Sequence, residues 1–194
     1  MKKPMVAAPP GIDAGIATNG LYRNKSLAMS YKIPAGWVLR TEEMNARDES
    51  SDQSPPGAAQ TATTGAKDAR SGKVLLAAFS RPPEAHGEEV NASILIAAES
   101  VAAYPGLKEA GQYFEPLTEV AQSQGFTIDE DPYEIAIGEK VLVRGDFHKD
   151  VGSRKMRQST LAFLSHGYAV SITVIGGTED EVEELLTGLE FVGK

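Results

Sequence analysis

Apolar and polar positions change period several times along the chain, and each change predicts an element. Leu27, Met29 and Tyr31 alternate with polar or small neighbours, the period-two pattern of a half-buried strand. Asn19-Gly20 and Asn24-Lys25 read as turns around short β-prone pieces, and Pro34, Ala35 and Gly36 stop the strand. Trp37, the only tryptophan, follows at once and is expected to anchor a core edge. Val74–Phe79 (VLLAAF) is continuously apolar and Ala92–Ala98 (ASILIAA) nearly so, as central strands covered on both faces are. Leu107, Ala110, Phe114, Leu117 and Ala121 fall at spacings of three and four, one apolar helical stripe. Gly125 closes that helix, and Pro116 is expected to kink or divide it.

Four β-prone segments come next: FTIDEDPYEIAIG, EKVLVRGDFHKD, RKMRQSTLAFLSHG and YAVSITVIGG. Their short connections predict an antiparallel meander. In EDEVEELLTGL, Val182, Leu185, Leu186 and Leu189 share one helical face, and Glu190–Val192 returns to a sheet edge. Strands, a helix, a meander and a second helix predict an α+β fold. In it a mostly antiparallel central sheet carries helices packed on both faces, an α/β/α sandwich. Residues 45–73 hold no large aliphatic or aromatic side chain, so burial cannot offset the entropy of ordering them. They are expected to be a disordered insert in a single domain spanning residues 18–194. The Pro/Gly-rich residues 1–17 are expected to be a flexible N-terminal segment.

Composition narrows the function classes. The 194 residues carry a formal net charge of -8, so the whole-molecule field repels nucleic acid and anionic membrane surfaces. No cysteine is present, which excludes disulfides, thiolate metal sites and a cysteine nucleophile. No apolar run approaches the ~18 residues that span a bilayer, so no transmembrane segment is expected. The start, MKKPMVAAPPG, lacks the apolar stretch of a secretory signal. It reads as a flexible terminus, or as that of an exported protein whose signal was trimmed, and the compartment stays open.

Several of these turns and strand ends carry a resemblance. Gly20-Leu21-Tyr22-Arg23-Asn24, the strand end Tyr31-Lys32-Ile33-Pro34 and Gly36-Trp37 are one group. Glu139–Arg144, Gly167-Tyr168 and Leu189-Glu190-Phe191 are the other. Together they resemble PsbP-like domains, over most of the chain outside residues 45–73. The resemblance implies the fold of the extrinsic photosystem II protein PsbP and of a Ran-binding nuclear import factor. It also implies a role in binding other proteins, sometimes with metals, and not generally catalysis. No binding motif of that family maps onto named positions here.

Candidate chemistry is sparse. In Asp146-Phe147-His148-Lys149-Asp150, strand alternation puts Asp146, His148 and Asp150 on one face, a ligand set a divalent metal accepts. Lys149 and Arg154 add competing charge, and the alternative is a solvated face leading into a turn. His86 lies among carboxylates in a polar loop, and His166 sits beside Ser165 at an expected hairpin tip with no carboxylate to orient it. Phosphate-loop, nucleophile-elbow and zinc-protease motifs are missing from the sequence. Arg144, Arg154, Lys155 and Arg157 form a basic strip if their strands pair side by side. The reading that results is a non-enzymatic binding or protein-interaction domain, with a divalent-metal- or small-ligand-binding protein as the alternative. An enzyme of unrecognised type stays open, because catalytic residues need not form local motifs.

One stretch, VSITVIGGTEDEVEELL, has the strand, Gly-Gly, helix layout of many phosphate sites. Thr178 with Glu181 three residues on reads instead as a capping box, and Glu179, Asp180 and Glu181 fill the first turn with negative charge. Gly176 and Gly177 then only turn the chain. Thr178→Ala is expected to lower unfolding stability by about 1 kcal/mol in a denaturant titration, and calorimetry with nucleotides to show no binding.

Overall fold

The structure, a computed structural model, describes residues 12–49, 72–87 and 89–192. Three short strands begin it: β1 (Ile16–Thr18), β2 (Leu21–Asn24) and β3 (Met29–Lys32). Asn19 and Gly20 both adopt positive φ, 52° and 74°, which makes the tight turn between β1 and β2. After Asn24 the chain turns again, with the Asn24 carboxamide oxygen accepting from the Leu27 N–H at 3.0 Å. β4 (Val38–Leu39) and helix α1 (Thr41–Glu49) lead to the long strands β5 (Gly72–Phe79) and β6 (Ser93–Ser100). Helix α2 (Ala110–Ser123) and β7 (Thr127–Ile128) follow, then the meander β8 (Tyr133–Ile137), β9 (Lys140–Val151), β10 (Arg154–Ser165) and β11 (Tyr168–Gly176). Helix α3 (Glu179–Leu186) and β12 (Leu189–Phe191) complete the described chain.

These strands form two antiparallel sheets. The larger runs β4-β5-β6-β11-β10-β9-β7, with β8 also paired to β9, and the smaller runs β1-β2-β3-β12. Alternation along β10 and β11 sends side chains to two different covers. Leu161, Phe163, Val170, Ile172 and Val174 pack with Tyr22, Met29 and Tyr31 of the small sheet and with Val182, Leu185 and Leu186 of α3. Ala162, Ala169 and Phe147 pack with Tyr113, Phe114 and Ala121 of α2. The small side chains on that second face admit the helix closely. A Cβ added to Gly145 of β9 would stand 2.5 Å from the Phe114 ring, so glycine there sets the helix-to-sheet distance.

The expected α/β/α sandwich, with helices as the layers on both faces, is not what forms. One face of the large sheet is covered chiefly by the second sheet, with α3 beside it, and the structure is mostly antiparallel β. The helices are short, 9, 14 and 8 residues. The physical reason is long-range pairing. β3 takes β12 as its ladder partner, Tyr31 opposite Leu189, so both ends of the described chain build a sheet of their own instead of extending the central one. The buried Tyr31 hydroxyl then donates to the Leu185 carbonyl at 3.0 Å and ties that sheet to α3. Burial pushes the Tyr31 phenol up to about 12.

Other local expectations fare variously. Trp37 is half-buried against the main core. The meander pairs in sequence order, and Gly125, at φ 89°, closes α2. Lys149 adds to that closure by donating to the Gln124 carbonyl at 2.7 Å. α2 runs undivided through Pro116, because burial of Tyr113 and Phe114 before it and Ala121 after it outweighs one lost backbone bond. At α3, the Thr178 hydroxyl accepts from the Glu181 N–H at 3.1 Å, and the Glu181 carboxylate reaches past the cap to the Gly177 N–H at 2.8 Å. Of the expected insert at 45–73, residues 45–49 end α1 and 72–73 begin β5, while 50–71 lie outside the described residues. So do residues 1–11 of the expected N-terminal segment, whose residues 16 and 17 belong to β1.

α1 has a specific task at the sheet edge. β4 pairs only with the end of β5, at Phe79 and Ala78. Beyond it, the Asn45 amide both donates to the Val74 carbonyl at 2.8 Å and accepts from the Val74 N–H at 2.9 Å, as a neighbouring strand would. Thr41, one helical turn earlier, accepts from the Ala77 N–H at 3.0 Å, and the Arg40 N–H donates to the Ala77 carbonyl at 2.8 Å. Asn45→Ala is expected to lower stability by about 1–2 kcal/mol, because a buried backbone pair loses its partner. Denaturant unfolding with size-exclusion chromatography checks this, with more self-association expected from the reopened edge.

Candidate functional site

β9 carries Arg144, Asp146 and His148 at alternate positions, so all three leave the sheet on one face, the face crossed by α3. Opposite them on β10 stand Ser159, in register with Asp146, and Arg157, in register with His148. The segment from β7 into β8 closes one side with Asp129, Glu130 and Tyr133, and α3 closes the other with Glu179, Asp180 and Glu183. The result is an open polar cleft of about 550 Å³.

Asp146 is its centre. One carboxylate oxygen accepts from the Arg144 Nε at 3.0 Å and from the Ser159 hydroxyl, and the other accepts from the Tyr133 hydroxyl at 2.7 Å. Arg144 spans the cleft floor, donating to Ser159 at 3.2 Å and through both terminal nitrogens to Glu183 of α3. The side chains of Arg144 and Asp146 are 14% and 19% exposed, which makes this pair the least exposed of the ion pairs in the cleft. Arg157 pairs with Glu179 at 3.0 Å, and the Nδ1 of His148 meets the Asp129 carboxylate.

Burial alone would raise the Asp146 carboxyl. Hydrogen bonds from Ser159 and Tyr133 and the adjacent Arg144 guanidinium outweigh it and hold the carboxyl below its ordinary value of 3.8. Burial opposes the charge on Arg144 as well, but its bonds to Glu183 and Asp146 raise its pKa. The Tyr133 phenol is pushed up to about 12, by desolvation first and by its bond to Asp146 second. Across the neutral range Asp146 is therefore ionised, Arg144 charged and Tyr133 neutral.

Its chemistry is that of a fixed charge pattern. Ser159 is buried and its hydroxyl is committed to Asp146, and no imidazole bonds to it. His166 lies at the tip between β10 and β11 with φ 51°, and His86 is exposed between β5 and β6. The three histidines thus stand in three separate places. Of the three residues considered as metal ligands, Asp146 and His148 line the cleft, whereas Asp150 is exposed further along β9, in register with Lys155. Asp146 spends its acceptors on three donors, and the cross-strand neighbours of His148 and Asp150 are the cationic Arg157 and Lys155. Among the described residues no group of three or more carboxylates or imidazoles gathers in a geometry that holds a metal. The basic strip is likewise interrupted: Glu183 and Asp146 take Arg144, Glu179 takes Arg157, and Arg154 and Lys155 are exposed near the β9–β10 turn.

Sequence reasoning missed Tyr133, Ser159, Glu179 and Glu183 as members of one cluster. The pairing of Asp146 with Ser159 follows once the β9–β10 turn is placed at Gly152-Ser153, since register then fixes every pair. No local signal brings α3 above them.

No protein-family model matches the chain, and neither does the sequence of any curated protein. Solved structures are similar at the level of fold. The cyanobacterial PsbP protein CyanoP from Synechocystis sp. PCC 6803 matches at 11% identity and a TM-score of 0.48, over 95% of this chain and all of that one. LpqN of Mycobacterium tuberculosis, described as involved in cell envelope biogenesis, matches at 10% identity and a TM-score of 0.41, over 85% of this chain and 83% of that one. A Pseudomonas aeruginosa protein of unknown function matches at 17% identity and 0.37, over 52% and 68%. These likenesses concern architecture and assign no residue of the cleft.

The Asp146 pKa carries a consequence for stability. A carboxyl held low in the folded state contributes stability above its unfolded pKa and loses it as pH falls through the folded one. The thermal midpoint of the wild-type chain is expected to drop as pH falls below about 4, and that of Asp146→Asn to start lower and to drop less, as scanning calorimetry across pH 2–7 would register.

Proposed function

We propose that the chain is a non-enzymatic protein-interaction domain and that the cleft between β9–β10 and α3 is its recognition face. The observation that carries this reading is the pre-paired network around Asp146. Its donors and acceptors are matched internally, so the floor is held in one arrangement and the Ser159 hydroxyl is not free to act as a nucleophile. Around that floor, Lys155, Glu130 and Asp180 line the cleft without a bonded partner among the described residues. Such a rim of separated charges favours orientation and choice of partner more than raw affinity. The resemblance to PsbP-like domains, whose members mostly bind other proteins, agrees with this role.

The test is affinity capture from extract of the source organism. It compares the wild-type chain with a Lys155→Glu/Asp180→Lys double variant, which keeps net charge and exchanges the signs at two of the three rim positions. A partner recovered in fixed stoichiometry by the wild type, and bound at least tenfold more weakly by the variant, is the expected result, a difference of about 1.4 kcal/mol. Equal recovery by both chains would move the recognition face elsewhere.

A further inference from the structure

The large sheet treats its two ends differently. At the β5 end, Asn45, Thr41, Arg40 and β4 take up the outward backbone groups. At the other end, β8 pairs with β9, and among the described residues no strand pairs with its outer side. Register says which groups are left. β8 and β9 are joined by a two-residue turn at Gly138-Glu139, so Ile137 and Lys140 exchange both backbone bonds, as do Ile135 with Leu142 and Tyr133 with Arg144. The N–H and C=O groups of Glu134 and Ala136 then point away from the sheet. Both residues are exposed, and neither group has a partner among the described residues. The edge strand β1 of the small sheet, by comparison, has only three residues.

The surroundings of this edge select its occupant. Glu130, Asp131, Glu134 and Glu139 are all exposed along or beside β8, and the nearby Lys140 is turned inward over the Phe163 ring at 4.8 Å from its centroid. Two copies of the chain pairing edge to edge would bring these carboxylates together, on a molecule of net charge -8. A basic strand would meet them with opposite charge. Next to Glu134, the exposed Ala136 lies in register with Val141, which is 58% exposed, so an apolar step adjoins an acidic one on the same side of the hairpin.

We infer that β8 accepts an extended, basic segment of another protein as an added strand. The inference rests on the reading of the chain as an interaction domain and supplies that domain with a partner chemistry. The incoming strand pairs its backbone with Glu134 and Ala136. It sets a lysine or arginine opposite Glu134 and, two residues along, an apolar side chain beside Ala136 and Val141. Main-chain bonds then provide affinity and the alternating side chains specificity.

The probe is an end-blocked peptide, Lys-Thr-Val-Thr-Lys-Thr-Val-Lys, titrated into the full chain and followed by amide exchange in NMR. Saturable binding is expected, with slowed exchange at Glu134 and Ala136 and little change at β11. Ala136→Pro removes one outward donor at a position where an edge strand tolerates proline, and Glu134→Lys reverses the charge but keeps the backbone. Each is expected to weaken binding about tenfold or more while circular dichroism stays that of the wild type. Replacing the peptide lysines with glutamates is expected to abolish binding. The inference is overturned by no saturable binding at about 1 mM peptide, by equal binding of the glutamate peptide, or by binding without protection at Glu134 and Ala136. Protection of those amides that grows with protein concentration alone would give the edge to a second copy instead. If the edge fails this test while the charge-exchanged cleft rim still loses a captured partner, the interaction reading stands without it; if both fail, both are gone.

Discussion

The ladder between β10 and β11 is the constraint on which the rest depends. It pairs Arg157 with Gly176 at one end and Ser165 with Tyr168 at the other, without a break in register. Every residue on it has its face decided by that register. Leu161, Phe163, Ile172 and Val174 go to the side of the small sheet, and Ala162 and Ala169 to the side of α2. A slip of one residue would exchange the large side chains for the small ones on both faces at once. The α2 side would then lack room for Phe114 and the other side would lack bulk to meet Tyr22 and Tyr31. Burying one such large side chain contributes about 1.5–3 kcal/mol, so the correct register is favoured many times over along the strand.

The same ladder, continued into β9, places the polar cleft. Asp146 stands beside Ser159 because register puts it there, and Arg144 and His148 flank it because alternation does. What closes the cluster is the path of α3. The helix is held over this part of the sheet by Val182, Leu185 and Leu186, and its polar side then delivers Glu183 to Arg144 and Glu179 to Arg157. The cleft is thus a by-product of core packing on one side of α3, and its geometry is as fixed as the core. A partly buried ion pair costs desolvation and adds little net stability unless its remaining donors and acceptors are met. Here Tyr133 and Ser159 meet them, so the pair is retained in a single arrangement.

An open antiparallel sheet must also deal with its edges. The chain uses helix side chains in place of a strand at one end, with Asn45 presenting a donor and an acceptor in the spacing of a peptide unit. At the other end it uses charge, with Glu134 on the edge strand itself. The first device satisfies backbone groups and the second leaves them available. That difference, and not the area of either edge, makes β8 the more reactive end.

Most elements were legible from local pattern, because strand and helix periods act within a few residues. VLLAAF, ASILIAA and the four-part meander became strands, the stripe from Leu107 to Ala121 became a helix that starts only at Ala110, and Thr178 became the cap of α3. α1 was not legible: Thr41–Glu49 has no apolar stripe, and the helix is held by the hydrogen bonds of Thr41 and Asn45 to β5 and by Met44 packing on Phe79 and Val74. Sheet membership was not legible either. β3 alternates as any half-buried strand does, and nothing in residues 29–32 announces that residues 189–191 will lie beside them. The candidate site divides along the same line. The alternation of Arg144, Asp146 and His148 could be read from the chain, whereas Tyr133, Glu179 and Glu183 arrive from other elements only after the core has packed. Short-range sterics and period set the elements; which faces meet, and so which charges become partners, depends on burial summed over the whole molecule, and no short window of the chain contains that sum.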